Sequence, residues 1–299
     1  SARSASVDTA SSIRGSSLNT SSGSLSLFPG YPKIFHARES ELHDLVAMLT
    51  GDTARVAILG PGVMGKPTLA VAALHHPAII EKYTTRYLVS CESAMTSVDL
   101  MAIIGSHLEL SHSRLFSKNI IRYFSRCGPC LLVLDNFETP WEPWEFRGDV
   151  EEFISSLADI ASLALLITMC GAERPRKVKW SRPFLAALEP ILFSAACQIL
   201  VDVADEPVVE EELALVGLLD LSGNLLLAVS LMANIVSFEG YSSTLSRWEL
   251  EITTLLSDGH NKDSNLEKSI TLSLGSPRLL SDPHAKVLLS LLSLLPDGI

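Results

Sequence analysis

The run Gly60-Pro-Gly-Val-Met-Gly-Lys-Pro-Thr68 brings three glycines, a lysine and a hydroxyl into one short loop. Glycines at 60, 62 and 65 allow the backbone to curl around an anion, and Lys66 adds a cation beside it. A helix starting here turns its free N–H groups toward the same anion. The chemistry is phosphate binding and the ligand class is a nucleotide. A chance glycine turn is the plain alternative. The strand-like residues 54–59 before the loop and the helical residues 68–74 after it argue against that.

Pro67 breaks the pattern. A Ser or Thr normally follows the lysine, and its hydroxyl ligates Mg²⁺. Proline offers neither a hydroxyl nor an N–H. The first turn of a helix tolerates it, so the loop keeps its shape while losing a metal ligand. Thr68 stands about 100° further round the helix and is a poor replacement. Each lost hydrogen bond to a charged group is worth ~1.5–3 kcal/mol, a tenfold or larger loss of affinity.

The second chemical group is Leu131-Leu-Val-Leu-Asp-Asn-Phe-Glu138. A hydrophobic strand ending in a carboxylate suits Asp135 to holding the water shell of Mg²⁺. That makes Asp135 the candidate metal ligand, in a metal site weakened by Pro67. Glu138 is placed to polarise an attacking water. Asp135 and Glu138 are the catalytic candidates.

Other groups have simpler readings. Cys127-Gly-Pro-Cys130 spells a redox motif, but that chemistry needs a strand before it and a helix after it. Here a helical pattern precedes and a strand follows, so a turn is expected. His75-His76 precedes Pro77 with no metal-ligand partners at suitable spacing, and reads as a helix C-terminus. Residues 138–145, rich in Trp and Glu, either bind a partner or pack over the mouth of the sheet. Glu151-Glu152 reads as the acidic opening of a helix. The basic residues 174–179 read as a solvated loop.

Around these groups, short strand patterns at 54–59, 86–90, 131–135 and 163–168 alternate with helical patterns at 39–49, 68–74, 100–110, 115–124 and 150–160. That alternation predicts an α/β doubly wound parallel sheet. After Pro190 only helical patterns follow, at 193–203, 208–219, 225–238, 245–256, 266–274 and 284–294. Residues 1–27 hold 11 serines and no periodicity, so residues 1–33 are expected to be a disordered tail. Of the 299 residues 47% are apolar, enough for a sizeable core. The net charge of −11 argues against a general nucleic-acid partner. Five cysteines, an odd number, fit a reducing cytoplasmic compartment better than a disulfide scaffold. The longest uncharged run, 221–238, has about 14 apolar helical residues, some 21 Å, too short for a ~30 Å bilayer core. No membrane contact is expected. The chain begins at Ser1 and stops at Ile299 straight after an apolar helical pattern, which reads as a piece of a longer protein.

Phe35-His-Ala-Arg-Glu39, the phosphate loop, residues 131–138, Leu166-Ile-Thr-Met169, Leu188-Glu-Pro190 and Gly223-Asn-Leu-Leu-Leu-Ala228 come in a particular order. This order resembles the NB-ARC/NACHT-like signal-transduction P-loop NTPases (STAND proteins), with the flavour of the fungal NB-ARC set. The resemblance covers about 34–299. It implies a three-layer P-loop NTPase domain at 34–190, a helical domain at 191–280 and the truncated start of a winged helix at 281–299. It implies an ADP/ATP switch that self-associates or contacts other domains of a longer chain. It places nucleotide contacts at Gly60, Gly62, Met64, Gly65, Lys66, Thr68 and Arg38. It also implies that the strand after Asp135 runs between the other two, so that Met169 and Cys170 point at the γ-phosphate.

The sequence departs from the family pattern at several of these places. Pro67 replaces the Mg²⁺-binding hydroxyl, and Cys170 stands where an arginine usually reads the γ-phosphate. Leu226 replaces a proline near the adenine, and Ala37 replaces a glycine. The metal and the γ-phosphate lose their partners; the β-phosphate cradle at Gly60, Gly62, Gly65 and Lys66 is retained. ADP binding is therefore expected to survive, with ATP hydrolysis weak or lost. A scaffold that binds no nucleotide is the competing expectation. A metabolic kinase would need an acceptor site and a lid, and the long helical half fits a switch better.

Overall fold

In the computed structural model, residues 29–32, 35, 37–110, 115–205 and 212–257 are described. The expected tail up to residue 28, the helices at 266–274 and 284–294 and the winged-helix start lie outside them. The chain opens with helix α1 (Glu39–Thr50), strand β1 (Arg55–Gly60), helices α2 (Lys66–Leu74) and α3 (Pro77–Lys82), and strand β2 (Thr85–Ser90). Helices α4 (Ser97–His107) and α5 (Phe116–Arg126) lead into strand β3 (Cys130–Asp135). Helices α6 (Glu138–Trp141) and α7 (Arg147–Ala158) lead into strand β4 (Leu163–Cys170). Helices α8 (Phe193–Ala204), α9 (Glu212–Ser222), α10 (Leu226–Glu239) and α11 (Tyr241–Ser257) follow.

The four strands are parallel, in the order β1-β4-β3-β2. The central strands are apolar at nearly every position because helices cover both faces of the sheet. Successive residues of β3 divide between two cores. Leu131 and Val133 join Leu45, Ile58 and Leu69 on one face, while Leu132 and Leu134 join Ile104, Phe124 and Ile154 on the other. A third core is built from helices alone, around Ile199, Leu218, Met232 and Trp248. Parallel pairing puts the C-terminal ends of β1, β3 and β4 side by side, and the phosphate loop leaves from that edge.

Three local differences have plain causes. The helix after the loop starts at Lys66, two residues before the apolar pattern does, with Pro67 in its first turn. Short α3 and α6 carry too few residues to show a period. Glu151 does not open α7. The helix begins at Arg147, and Glu151 is buried in its second turn, where Oε1 accepts from Trp141 Nε1 at 3.0 Å and from the Arg176 N–H at 3.2 Å. Of the pair His75-His76, His75 closes α2 and His76 caps the start of α3, accepting from the Ala78 N–H.

Candidate functional site

The loop between β1 and α2 is held open from below. Gly60 has φ 149°, and a Cβ there would meet the Leu188 carbonyl oxygen at 2.8 Å. The segment through Leu188 crosses the end of β1 at this point, its N–H donating to Leu59 O at 2.7 Å. Gly65 closes the loop in the left-handed region at φ 81°, which sets the axis of α2. Val63 is also left-handed, at φ 60°. A β-branched residue there is strained by about 1–3 kcal/mol, the kind of strain that gathers at binding loops. Among the described residues, the backbone N–H groups of 62–66 and of Thr68 have no hydrogen-bond partner. This concave array of donors suits the oxygens of a phosphate.

Lys66 is buried, and its Nζ spans the loop. It donates to Gly60 O at 3.1 Å and Pro61 O at 2.7 Å, and lies 3.3 Å from Cys170 Sγ. The last of these contacts follows from topology. Because β4 lies beside β1, Cys170 pairs in register with Gly60. The arginines of the next loop do not substitute for it. Arg174 stacks on Phe184 and donates to Leu185 O, and Arg176 is exposed beside Glu151.

Asp135 ends β3 and accepts a very short hydrogen bond from the Thr168 hydroxyl. Thr168 is itself buried in β4 and accepts from the Asn136 N–H at 3.1 Å. Burial pushes the Asp135 carboxyl up; Thr168 opposes this, Glu138 adds to it, and Lys66 opposes it. Glu138 lies beside Cys170, and its Oε2 is buried with no hydrogen-bond partner. Burial, then Glu138, pushes the Cys170 thiol up. Lys66, Asp135, Glu138 and Cys170 thus form one cluster.

Of the remaining expected nucleotide contacts, Gly62 and Met64 lie within the donor array, and Thr68 lines an apolar cavity of about 360 Å³ with Val63, Pro67, Leu226 and Leu227. Leu226 presses on the loop so closely that a Cβ on Gly65 would meet its Cδ2 at 2.6 Å. Arg38 has a different place. Its buried guanidinium donates to Met64 O at 3.4 Å and Glu189 O at 2.5 Å, and pairs with Glu41. It clamps the phosphate loop to the segment that leads into the helices. Two contributors, Thr168 and Leu188, were given no contact from sequence, although both lie in segments that carry the family resemblance, 166–169 and 188–190. Burial pushes Cys130 up to about 12, and Cys127 ends α5 directly before β3, as a turn requires.

No family model matches the sequence, and no curated protein matches it. Solved structures do. The Walker-type ATPase PABY2304 of Pyrococcus abyssi matches with a TM-score of 0.53 at 12% identity, over 75% of this chain and 74% of that one. The Orc1 protein of Aeropyrum pernix in complex with DNA matches with a TM-score of 0.55 at 14% identity, over 88% and 84%. Drosophila ORC bound to DNA matches at 0.50 and 14%, over 86% and 87%. The fold is that of a P-loop ATPase. At these identities the likeness extends to the fold alone. Two of these neighbours were solved with DNA, so the likeness lends no support to the absence of a nucleic-acid partner expected from charge. No described helix is long and apolar enough to cross a membrane.

Proposed function

We propose that this chain is the nucleotide-binding regulatory module of a STAND-type signalling protein, holding ADP or ATP and hydrolysing ATP weakly or not at all. In this reading residues 34–190 bind the nucleotide, 191–280 form the helical partner domain and 281–299 begin a winged helix. The observation that carries it is the donor array, six free N–H groups around left-handed Gly65 with Lys66 drawn across the loop. Such an array favours phosphate oxygens over any neutral ligand. Gly60, Gly62, Met64, Gly65, Lys66 and Thr68 would hold the phosphates. Arg38 acts through the carbonyls it binds rather than through the ligand.

Weak hydrolysis follows from the other side of the site. Pro67 supplies no oxygen for a metal, and Asp135 is already engaged by the Thr168 hydroxyl. Bound Mg²⁺ would supply charge neutralisation between the phosphates, and Asp135 is the one candidate left to orient it. Glu138 could position a water, but Arg174 of the following loop turns to Leu185 O and Phe184 rather than to the end of β4. ATP turnover at the rate of an intact relative, with Mg²⁺ present, would contradict this reading. The alternative, an interaction scaffold without nucleotide, is favoured by one observation, the side chain of Leu226 seated on Gly65. Titration with ADP separates the two readings.

A further inference from the structure

We propose that the cavity beside α5 binds a small organic phosphate, as a second anion site apart from the phosphate loop. It stands whether or not the loop holds a nucleotide. α5 runs against the charge balance of the chain. The whole sequence carries a net charge of −11, yet Phe116–Arg126 holds Lys118, Arg122 and Arg126 and no acidic residue. These cations fall at i, i+4 and i+8, so they stand in one row along the helix. The helix buries its other side, through Ile120 and Phe124. Arg122 and Arg126 line a cavity of about 460 Å³ with Leu110, Asn119, Tyr123 and Cys127, and it shares no residue with the cavity at the phosphate loop. Among the described residues no carboxylate lines it, and neither arginine has an ion-pair partner. Arg122 Nη1 donates to Asn119 Oδ1 at 3.2 Å, which steadies one guanidinium at the cavity wall.

The wall at Tyr123 is fixed. Tyr123 and Tyr87 of β2 both meet the Phe124 ring edge-on, and their phenol oxygens lie 2.7 Å apart. Burial, then the bond to Tyr123, pushes the Tyr87 phenol up, so it keeps its proton. When Tyr87 donates to Tyr123, the Tyr123 O–H is left for a ligand. Charge and size then select the ligand. Two guanidinium groups match a phosphate dianion, and each fork grips two of its oxygens. A single carboxylate occupies one fork and leaves the second unmatched. The cavity has the volume of a small-molecule site rather than of a bare ion, and Leu110 with the Tyr123 ring gives an organic group an apolar wall.

The test is calorimetric titration of the whole chain with phenyl phosphate, against benzoate and inorganic phosphate, at low ionic strength. Phenyl phosphate is expected to bind at least about tenfold more tightly than benzoate, the worth of one charged hydrogen bond or more. It should also bind more tightly than inorganic phosphate, and weaken as salt is added. Lys66→Ala, which silences the phosphate loop, should leave this binding within a few-fold. Arg122→Gln with Arg126→Gln should lower it at least about tenfold, and both side chains are exposed, so the fold does not depend on them. Binding lost in Lys66→Ala but kept in the double arginine variant assigns the phosphate to the loop and overturns the second site. So does a chain that binds no phenyl phosphate. Benzoate bound as tightly overturns the choice of a phosphate, and inorganic phosphate bound as tightly overturns the organic group.

Discussion

Lys66 is the residue on which phosphate binding turns, because it is the cation common to the loop carbonyls and the end of β4. Lys66→Ala should weaken ADP binding by at least about tenfold, the loss of a charged hydrogen bond or two, as read by calorimetry. Pro67→Thr is the complementary change. It should create Mg²⁺-dependent nucleotide binding if the rest of the pocket is intact, measured as the ratio of affinities with Mg²⁺ and with EDTA. Asp135 gives a pH prediction. Burial raises its carboxyl above the ordinary 3.8, so the folded state holds that proton more tightly than the unfolded one. Its contribution to stability is therefore lost as pH rises from the ordinary value through the folded one, and stays lost above it. Asp135→Asn should melt higher than the parent at pH 7, with the gap closing as the pH falls below the ordinary value. A gap that widens toward acid would contradict the sign. At this scale the sequence was informative wherever chemistry is local. Pro67 declares itself beside Lys66, whereas the contact of Lys66 with Cys170, 104 positions apart, depends on a strand order that the resemblance implied and no local pattern could.

Elements were legible where they are long and periodic. The strands and longer helices follow their apolar patterns, because a parallel sheet covered on both faces leaves continuous hydrophobic runs. The short α3 and α6 carry no such signal. The segment at Leu188 has no period either; it was legible only through the resemblance, and it takes its place through Leu59 and Gly60. The role of Arg38 was hidden for the same reason. The resemblance placed it at the nucleotide, but the fold brings it to two carbonyls, one of them 151 residues away. Arg38→Ala should therefore loosen the loop and the 186–191 segment together, seen as faster amide exchange in both. Exchange that rises in the loop alone would contradict a clamp. The Trp141–Glu151 contact makes a separate prediction about α6 and α7. Glu151→Ala strands a buried indole N–H and should cost about 1–3 kcal/mol of stability in chemical denaturation.

Across the whole molecule, two cores sandwich the sheet and a third fills the helices, and the phosphate loop touches both parts. Leu188 and Arg38 hold one end of the loop, and Leu226 of α10 presses on the other. A phosphate group bound at the loop would therefore have a mechanical route to the helices through Leu226. This arrangement makes ligand content the decisive property of the purified protein. The most direct measurement is to denature it and identify by chromatography any nucleotide released. The expected result is stoichiometric ADP. A pocket that is empty, and stays empty after incubation with millimolar ADP and ATP, would contradict the nucleotide-binding role and leave the chain as a scaffold.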